Sequence, residues 1–243
     1  FRFKQFSIWH DQCAMKVNTD GILLGAWSNV TDNNDDQTFN ILDIGTGTGL
    51  IALMLAQKTA NNVRSKITAV ELDDNAYQQA KFNVEQSPWT NKVDVHHQDI
   101  VAFAKNSTNV NSFNVIVSNP PYFSDSLLGD NKQRNQARHN SSLRFEDLLV
   151  SAAKLANSAA KFNVILPCNE AETLTAISEK FGWFLSAKTD VIAIEGKLPF
   201  RSLMALSRHK SSKIILTTLT IRDETNTYTP EYKALCKDFY LKF

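Results

Sequence analysis

Short apolar runs alternate with stretches of helical character along most of this chain. Residues 39–43, Phe-Asn-Ile-Leu-Asp, are apolar and branched in the manner of a strand buried on both faces. The run from Leu50 to Gln57 is built from strong helix formers and predicts a helix near 50–59. The alternation continues with a strand at 66–71, a helix at 74–86, and strands at 92–97 and 113–118. A helical stretch at 145–157, a strand at 161–166 stopped by Pro167, and a helix at about 170–181 follow. Two more strand-like runs lie near 184–194 and 213–222. This order predicts an α/β fold around a mostly parallel sheet. No internal repeat interrupts it, so residues 1–243 are expected to form one domain, with 1–38 ahead of a core at 39–243. Residues 31–37 predict a polar surface loop between the two.

The first strand runs into Asp43-Ile-Gly-Thr-Gly-Thr-Gly49. Gly45, Gly47 and Gly49 are spaced G-x-G-x-G, whereas the dinucleotide fingerprint is G-x-G-x-x-G, so the spacing argues against NAD. Glycines joining a strand to a helix let a ligand approach the backbone, and the helix start offers unpaired N–H groups suited to a carboxylate. Glu71 ends the second predicted strand 28 residues after Asp43, where it is placed to accept both hydroxyls of a ribose. Asp99 follows 28 residues later, placed to accept from an adenine amino group. The candidate ligand positions are Asp43, Gly45, Thr46, Gly47, Gly49, Glu71, Leu72, Asp99 and Ile100. Taken singly, the loop also fits an ordinary turn, and either carboxylate fits a helix N-cap.

Asn119-Pro120-Pro121-Tyr122 follows the apolar run Phe113-Asn-Val-Ile-Val117. An amide, carbonyls stiffened by consecutive prolines and an aromatic ring make a device for gripping a planar, poorly nucleophilic NH2 group. Asn119 and Pro120 are the candidate acceptors, Tyr122 the stacking ring, and Asn119 is expected to border the small ligand as well. The plainer reading makes Asn119 a turn former before proline, and Tyr122 and Phe123 core aromatics. Residues 123–144 predict a substrate loop or a simple insertion.

Composition narrows the class. A chain of 243 residues with 43% hydrophobic content can bury one substantial core. No stretch has the apolar length of a membrane span and no signal pattern opens the chain, so a cytoplasmic enzyme is expected. The start at Phe1 without methionine suggests a trimmed leader. Cys13, Cys168 and Cys236 lack metal-ligand spacing and read as reduced thiols. His96 and His97 are strand neighbours facing opposite ways, so no metal is expected. Net charge is only +1, yet Lys197, Arg201, Arg208, Lys210, Lys213 and Arg222 accumulate with no acidic residue between Glu195 and Asp223. Lys132, Arg134, Arg138 and Arg144 form a second cluster after the proline motif. Both clusters are expected to flank one active-site mouth and hold nucleic-acid phosphates, unless they are merely solvated faces.

Together these residues resemble the S-adenosylmethionine-dependent methyltransferases of the Rossmann-like class that carry an Asn-Pro-Pro-Tyr motif. The resemblance sharpens in Phe3-Lys-Gln-Phe6 and in His10-Asp-Gln-Cys-Ala-Met-Lys-Val-Asn-Thr-Asp-Gly-Ile-Leu-Leu-Gly-Ala-Trp27, which look like the bacterial tRNA (adenine-N6)-methyltransferase family acting beside a valine anticodon. It implies a seven-stranded sheet ending in an antiparallel strand pair, and S-adenosylmethionine as cofactor. It also implies a tRNA substrate, and an N-terminal lid in which Lys16, Thr19 and Asp20 touch the cofactor. Tyr122, Phe123, Arg134, Arg138, Lys197, Arg201 and Arg208 become candidate substrate contacts. Asn18 stands where the family pattern has glycine, which bears on the local backbone. Protein glutamine-N5 methyltransferases share the tetrapeptide but carry a helical domain ahead of the core, for which some 38 residues leave little room. Guanine-N2 rRNA methyltransferases carry Phe in place of Tyr122. A non-catalytic RNA-binding or cofactor-sensing module is the reading of another class.

Overall fold

The computed structural model describes residues 1–13, 16–30, 38–105, 108, 110–121 and 143–243. Helix α1 (Thr19–Trp27) leads into β1 (Phe39–Ile44), α2 (Leu50–Lys58), β2 (Ser65–Glu71), α3 (Asp74–Glu85) and β3 (Val93–His97). Next come α4 (Ile100–Lys105), β4 (Phe113–Ser118), α5 (Phe145–Leu155), β5 (Ala156–Pro167) and α6 (Cys168–Ser178). After a 3-10 turn at Glu179–Phe181, the chain closes with β6 (Phe184–Ile194), β7 (Arg201–Ser207), β8 (Ile215–Arg222) and α7 (Pro230–Cys236).

The strands form one eight-stranded sheet in the order β3-β2-β1-β4-β5-β7-β6-β8. β1 to β5 pair in parallel, as their branched, two-sided burial requires. The expected seven strands become eight, because Ser-Leu-Met-Ala-Leu-Ser within 202–207 is a strand hidden inside the basic stretch. Its Leu, Met and Ala carry little β signal, and only burial between two neighbours makes it a strand. The expected terminal antiparallel pair is also corrected. β6 and β8 run parallel to each other, and β7 alone opposes its neighbours β5 and β6.

Alternate strand residues feed two cores. Ile41, Val115, Val117 and Ile165 face α1, α2, α7 and the N-terminal aromatics Phe3 and Phe6. Leu42, Ile116, Val164 and Leu166 face α4, α5 and α6 around Trp183. The chain steps outward from β1 to β3, then returns across β1 to β4. The strand order therefore reverses between β1 and β4, and the crevice above their carboxyl ends is where such sheets bind ligands. Cys13, Cys168 and Cys236 are free thiols. Among the described residues no helix is long and apolar enough to cross a membrane.

Candidate active site at the carboxyl edge of the sheet

The glycine loop is held in shape by a carboxylate at its root. Gly45, Gly47 and Gly49 have φ of 70°, 58° and 80°, a left-handed region that other residues enter only with strain. Fully buried Asp43 accepts through Oδ2 from Thr46 Oγ1 at 2.6 Å and from the Ala52 amide at 3.1 Å. Burial pushes its carboxyl up to about 7, and Oδ1 has no partner among the described residues. No atom lies within 4 Å of where a Cβ would stand on Gly45 or Gly47, so both leave open space above the backbone.

Around that space stand the strand ends picked out in the sequence. Glu71 accepts from Gly47 N at 2.8 Å through Oε2, and from Leu72 N and Asp73 N at 2.9 Å through Oε1, tying β2 to the loop. Asp99 Oδ1 accepts from Ala102 N at 3.0 Å and starts α4, the cap role weighed against ligand contact above. A cavity of about 670 Å³ is lined by Gly45, Glu71, Leu72, Asp99, Ile100, Ser118, Pro120 and Pro121. The glycine loop, two acidic strand ends and the proline motif thus share one space. Ser118 Oγ donates to the Ile44 carbonyl at 2.9 Å, pinning β4 to β1 beneath the motif. Asn119 Oδ1 is buried and has no partner among the described residues.

The Methyltransferase small domain family model matches residues 27–139. A tRNA1(Val) (adenine(37)-N6)-methyltransferase from Pseudoalteromonas translucida is 46% identical over 242 residues, spanning 100% of this chain and 98% of that protein. The protein of that name from Photorhabdus laumondii is 45% identical, over 100% of this chain and 96% of its own length. The chain belongs to the tRNA1(Val) (adenine(37)-N6)-methyltransferase family. A solved structure described as a predicted O-methyltransferase from Agrobacterium tumefaciens shares the fold at 19% identity, with TM-score 0.67, covering 90% of this chain and 96% of that one.

In this member of the tRNA1(Val) (adenine(37)-N6)-methyltransferase family the remaining expected residues divide. Tyr122, Phe123, Arg134 and Arg138 lie outside the described residues. Lys16 and Thr19 are exposed, and buried Asp20 pairs with Arg201, Nε to Oδ2 at 2.8 Å. Thr19, Asp20 and Arg201 line a separate cleft of about 550 Å³ at the same sheet edge. Asn18 is extended, at φ −135°, and caps α1 by accepting from Gly21 N, so the departure from glycine leaves the backbone unstrained.

The expectation that the basic residues of 197–222 share one mouth is corrected, while Lys132, Arg134 and Arg138 lie outside the described residues. β7 is antiparallel, so Arg201 opposite Pro167 lies at the carboxyl edge and Ser207 opposite Lys161 at the amino edge, about 20 Å away. Arg208, just past Ser207, donates to the Phe181 and Gly182 carbonyls and stacks over Trp183 at 4.9 Å. It clamps a turn far from the cavity. Lys197 remains exposed in the turn at the carboxyl edge. His96 bonds Asp94, whereas His97 Nε2 sits 3.0 Å from the Leu72 carbonyl. Two residues escaped the sequence reading. Ser118 gave no signal, but buried Asn83 was detectable as an amide between Ala80 and Val84 on the inward face of α3.

Proposed function

We propose that this chain transfers the methyl group of S-adenosylmethionine to N6 of adenosine 37 in a valine tRNA. The cofactor fits the residues present. Gly45 and Gly47 form a cradle that a Cβ would fill, in a loop whose shape buried Asp43 fixes through Thr46 and Ala52. Glu71 and Asp99 stand at the strand ends for ribose and adenine, with Leu72 and Ile100 lining the base side. Lys16, Thr19 and Asp20 lie at the segment that would close over the methionine end. Bound there, the cofactor supplies an electrophilic sulfonium methyl.

The protein's task is then to present a nitrogen whose lone pair is delocalised into a purine ring. Asn119 Oδ1 and the Pro120 carbonyl accept its two N–H bonds, which draws the nitrogen toward tetrahedral geometry and stabilises the positive charge that develops on it. Tyr122 stacks on the extruded base, a contact worth about 1–3 kcal/mol. An unpaired anticodon-loop base is the least costly to extrude.

The observation that supports this reading is Asn119 Oδ1, buried and without a partner among the described residues, between Ser118 and Pro120 of the cavity lining. A buried carbonyl left unpaired invites an N–H donor from a substrate. The test incubates the protein with methyl-labelled S-adenosylmethionine and tRNA from cells lacking the activity, then digests the RNA to nucleosides. Label in N6-methyladenosine beside the valine anticodon is expected, with turnover about 10²–10³-fold lower in Asn119→Ala and cofactor affinity retained. Label in methylguanosine or in protein glutamine would overturn the adenine assignment. Cofactor binding with no label anywhere would leave a binding module.

A further inference from the structure

Helix α3 turns a stripe of small and amide side chains toward the glycine loop. Ala76, Gln79, Ala80 and Asn83 are buried and recur at helical spacing on one face. At Ala80 the loop comes close, since a Cβ on Gly49 would lie 3.4 Å from the Ala80 Cβ. One turn further, Asn83 is fully buried and joins two other segments. Its Oδ1 accepts from Trp9 N at 2.9 Å, while Nδ2 donates to the Trp9 carbonyl and to the Thr48 carbonyl, both at 2.8 Å. Thr48 belongs to the glycine loop. Gln79 takes the next stretch of the N-terminal segment, its Oε1 accepting from Gln12 N at 3.1 Å. The Trp9 ring lies edge-on to Phe82 with centroids 5.3 Å apart. From there the segment reaches Cys13, whose thiol is pushed up to about 11 by burial and by the carboxylates of Glu71 and Asp73. Residues 9–12 therefore run along α3 from Asn83 in its last turn back to Gln79 in its middle.

The amide at Asn83 has one orientation. A flipped side chain would set its NH2 against the Trp9 N–H and its oxygen against two carbonyls. No apolar residue of that size, and no carboxylate, satisfies all three partners. We propose that Asn83 is a positioning residue for methyl transfer, which with Gln79 makes the glycine loop and the N-terminal segment one mechanical unit. Loading the loop with cofactor then orders residues 9–12 along α3. This rests on the reading of the glycine loop as the cofactor site.

The test follows amide hydrogen exchange across residues 1–13 of the full chain, with and without saturating S-adenosylmethionine, beside cofactor titration and steady-state kinetics. In the unaltered protein, cofactor slows exchange at the Trp9 and Gln12 amides. Asn83→Asp, which keeps size and the Trp9 N–H acceptor, weakens cofactor binding about tenfold and abolishes that protection even at saturation. Its kcat falls in parallel, and Asn83→Gln restores part of both. Gln79→Leu touches only the segment, so it loses protection at Gln12 with a smaller loss of affinity. It tests the coupling independently should Asn83→Asp not fold. A lower melting temperature with cofactor affinity and protection unchanged would make Asn83 purely structural and sink the proposal. So would cofactor binding that leaves exchange in the unaltered protein as it was. Failure of the unaltered protein to bind cofactor would instead overturn the loop assignment itself.

Discussion

A buried acceptor with no partner among the described residues, as Asn119 Oδ1 is, costs a fold roughly 1–3 kcal/mol, so its place between two residues of the cavity lining sets stability against activity. Asn119→Ala should leave the melting temperature unchanged or slightly higher while turnover collapses. Differential scanning calorimetry beside the methylation assay checks both halves. Asp43 carries a second consequence at this scale. Its folded carboxyl keeps its proton to about pH 7, against an ordinary value of 3.8, because burial disfavours the charged form. The native state binds more protons than the unfolded chain in that window, so this group's contribution to stability is full below about pH 4 and is lost as pH rises through about 7. Asn in its place still accepts from Thr46 and Ala52 but does not titrate. Asp43→Asn should therefore flatten the fall in melting temperature between pH 4 and 7, and an unchanged slope would place the proton elsewhere.

At the scale of elements, the glycine loop separates a structural turn from a ligand cradle. Gly47 has φ of 58° with empty space where a Cβ would point, and its N–H is held by Glu71. Gly47→Ala costs about 1–2 kcal/mol of backbone strain whatever the loop does. If the loop holds the cofactor, the methyl also intrudes on it. Calorimetric titration should then show at least a tenfold weaker affinity with the fold retained. The loop was legible in the sequence because it is local, three glycines between an apolar strand and a run of helix formers. Asn119 was legible for the same reason. The joint action of Asn83 was not, because its partners Trp9 and Thr48 lie 74 and 35 residues away along the chain. β7 escaped because leucine, methionine and alanine declare no strand until neighbours bury them.

For the whole molecule, the two ends of β7 divide the basic residues between opposite edges of the sheet. Lys197 lies in the turn at the edge that holds the cavity, and Arg208 beyond the other. A polyanion reading only the cavity edge would feel one and not the other. Lys197→Gln should weaken tRNA binding and lower the slope of log affinity against log salt by about one. Arg208→Gln should leave that slope alone and lower the melting temperature, since it releases the Phe181 and Gly182 carbonyls. Binding measured across a salt series, beside thermal melts, distinguishes the two. Charge counting placed Arg201 and Arg208 at one mouth because sequence proximity hides strand direction.

The lone antiparallel strand also governs when the molecule can finish assembling. β6 is made before β7, yet its route to the parallel core passes through β7, which alone of the last three strands pairs with β5. A nascent chain that has just emitted β6 has no free place on β5 for it in the final register. β6 can take its final place only with β7 or after it. β8 then adds to the outer flank of β6. Synthesis order and assembly order part company in the last quarter of the chain, and a pause there would leave β5 as a bare edge open to pairing with another molecule.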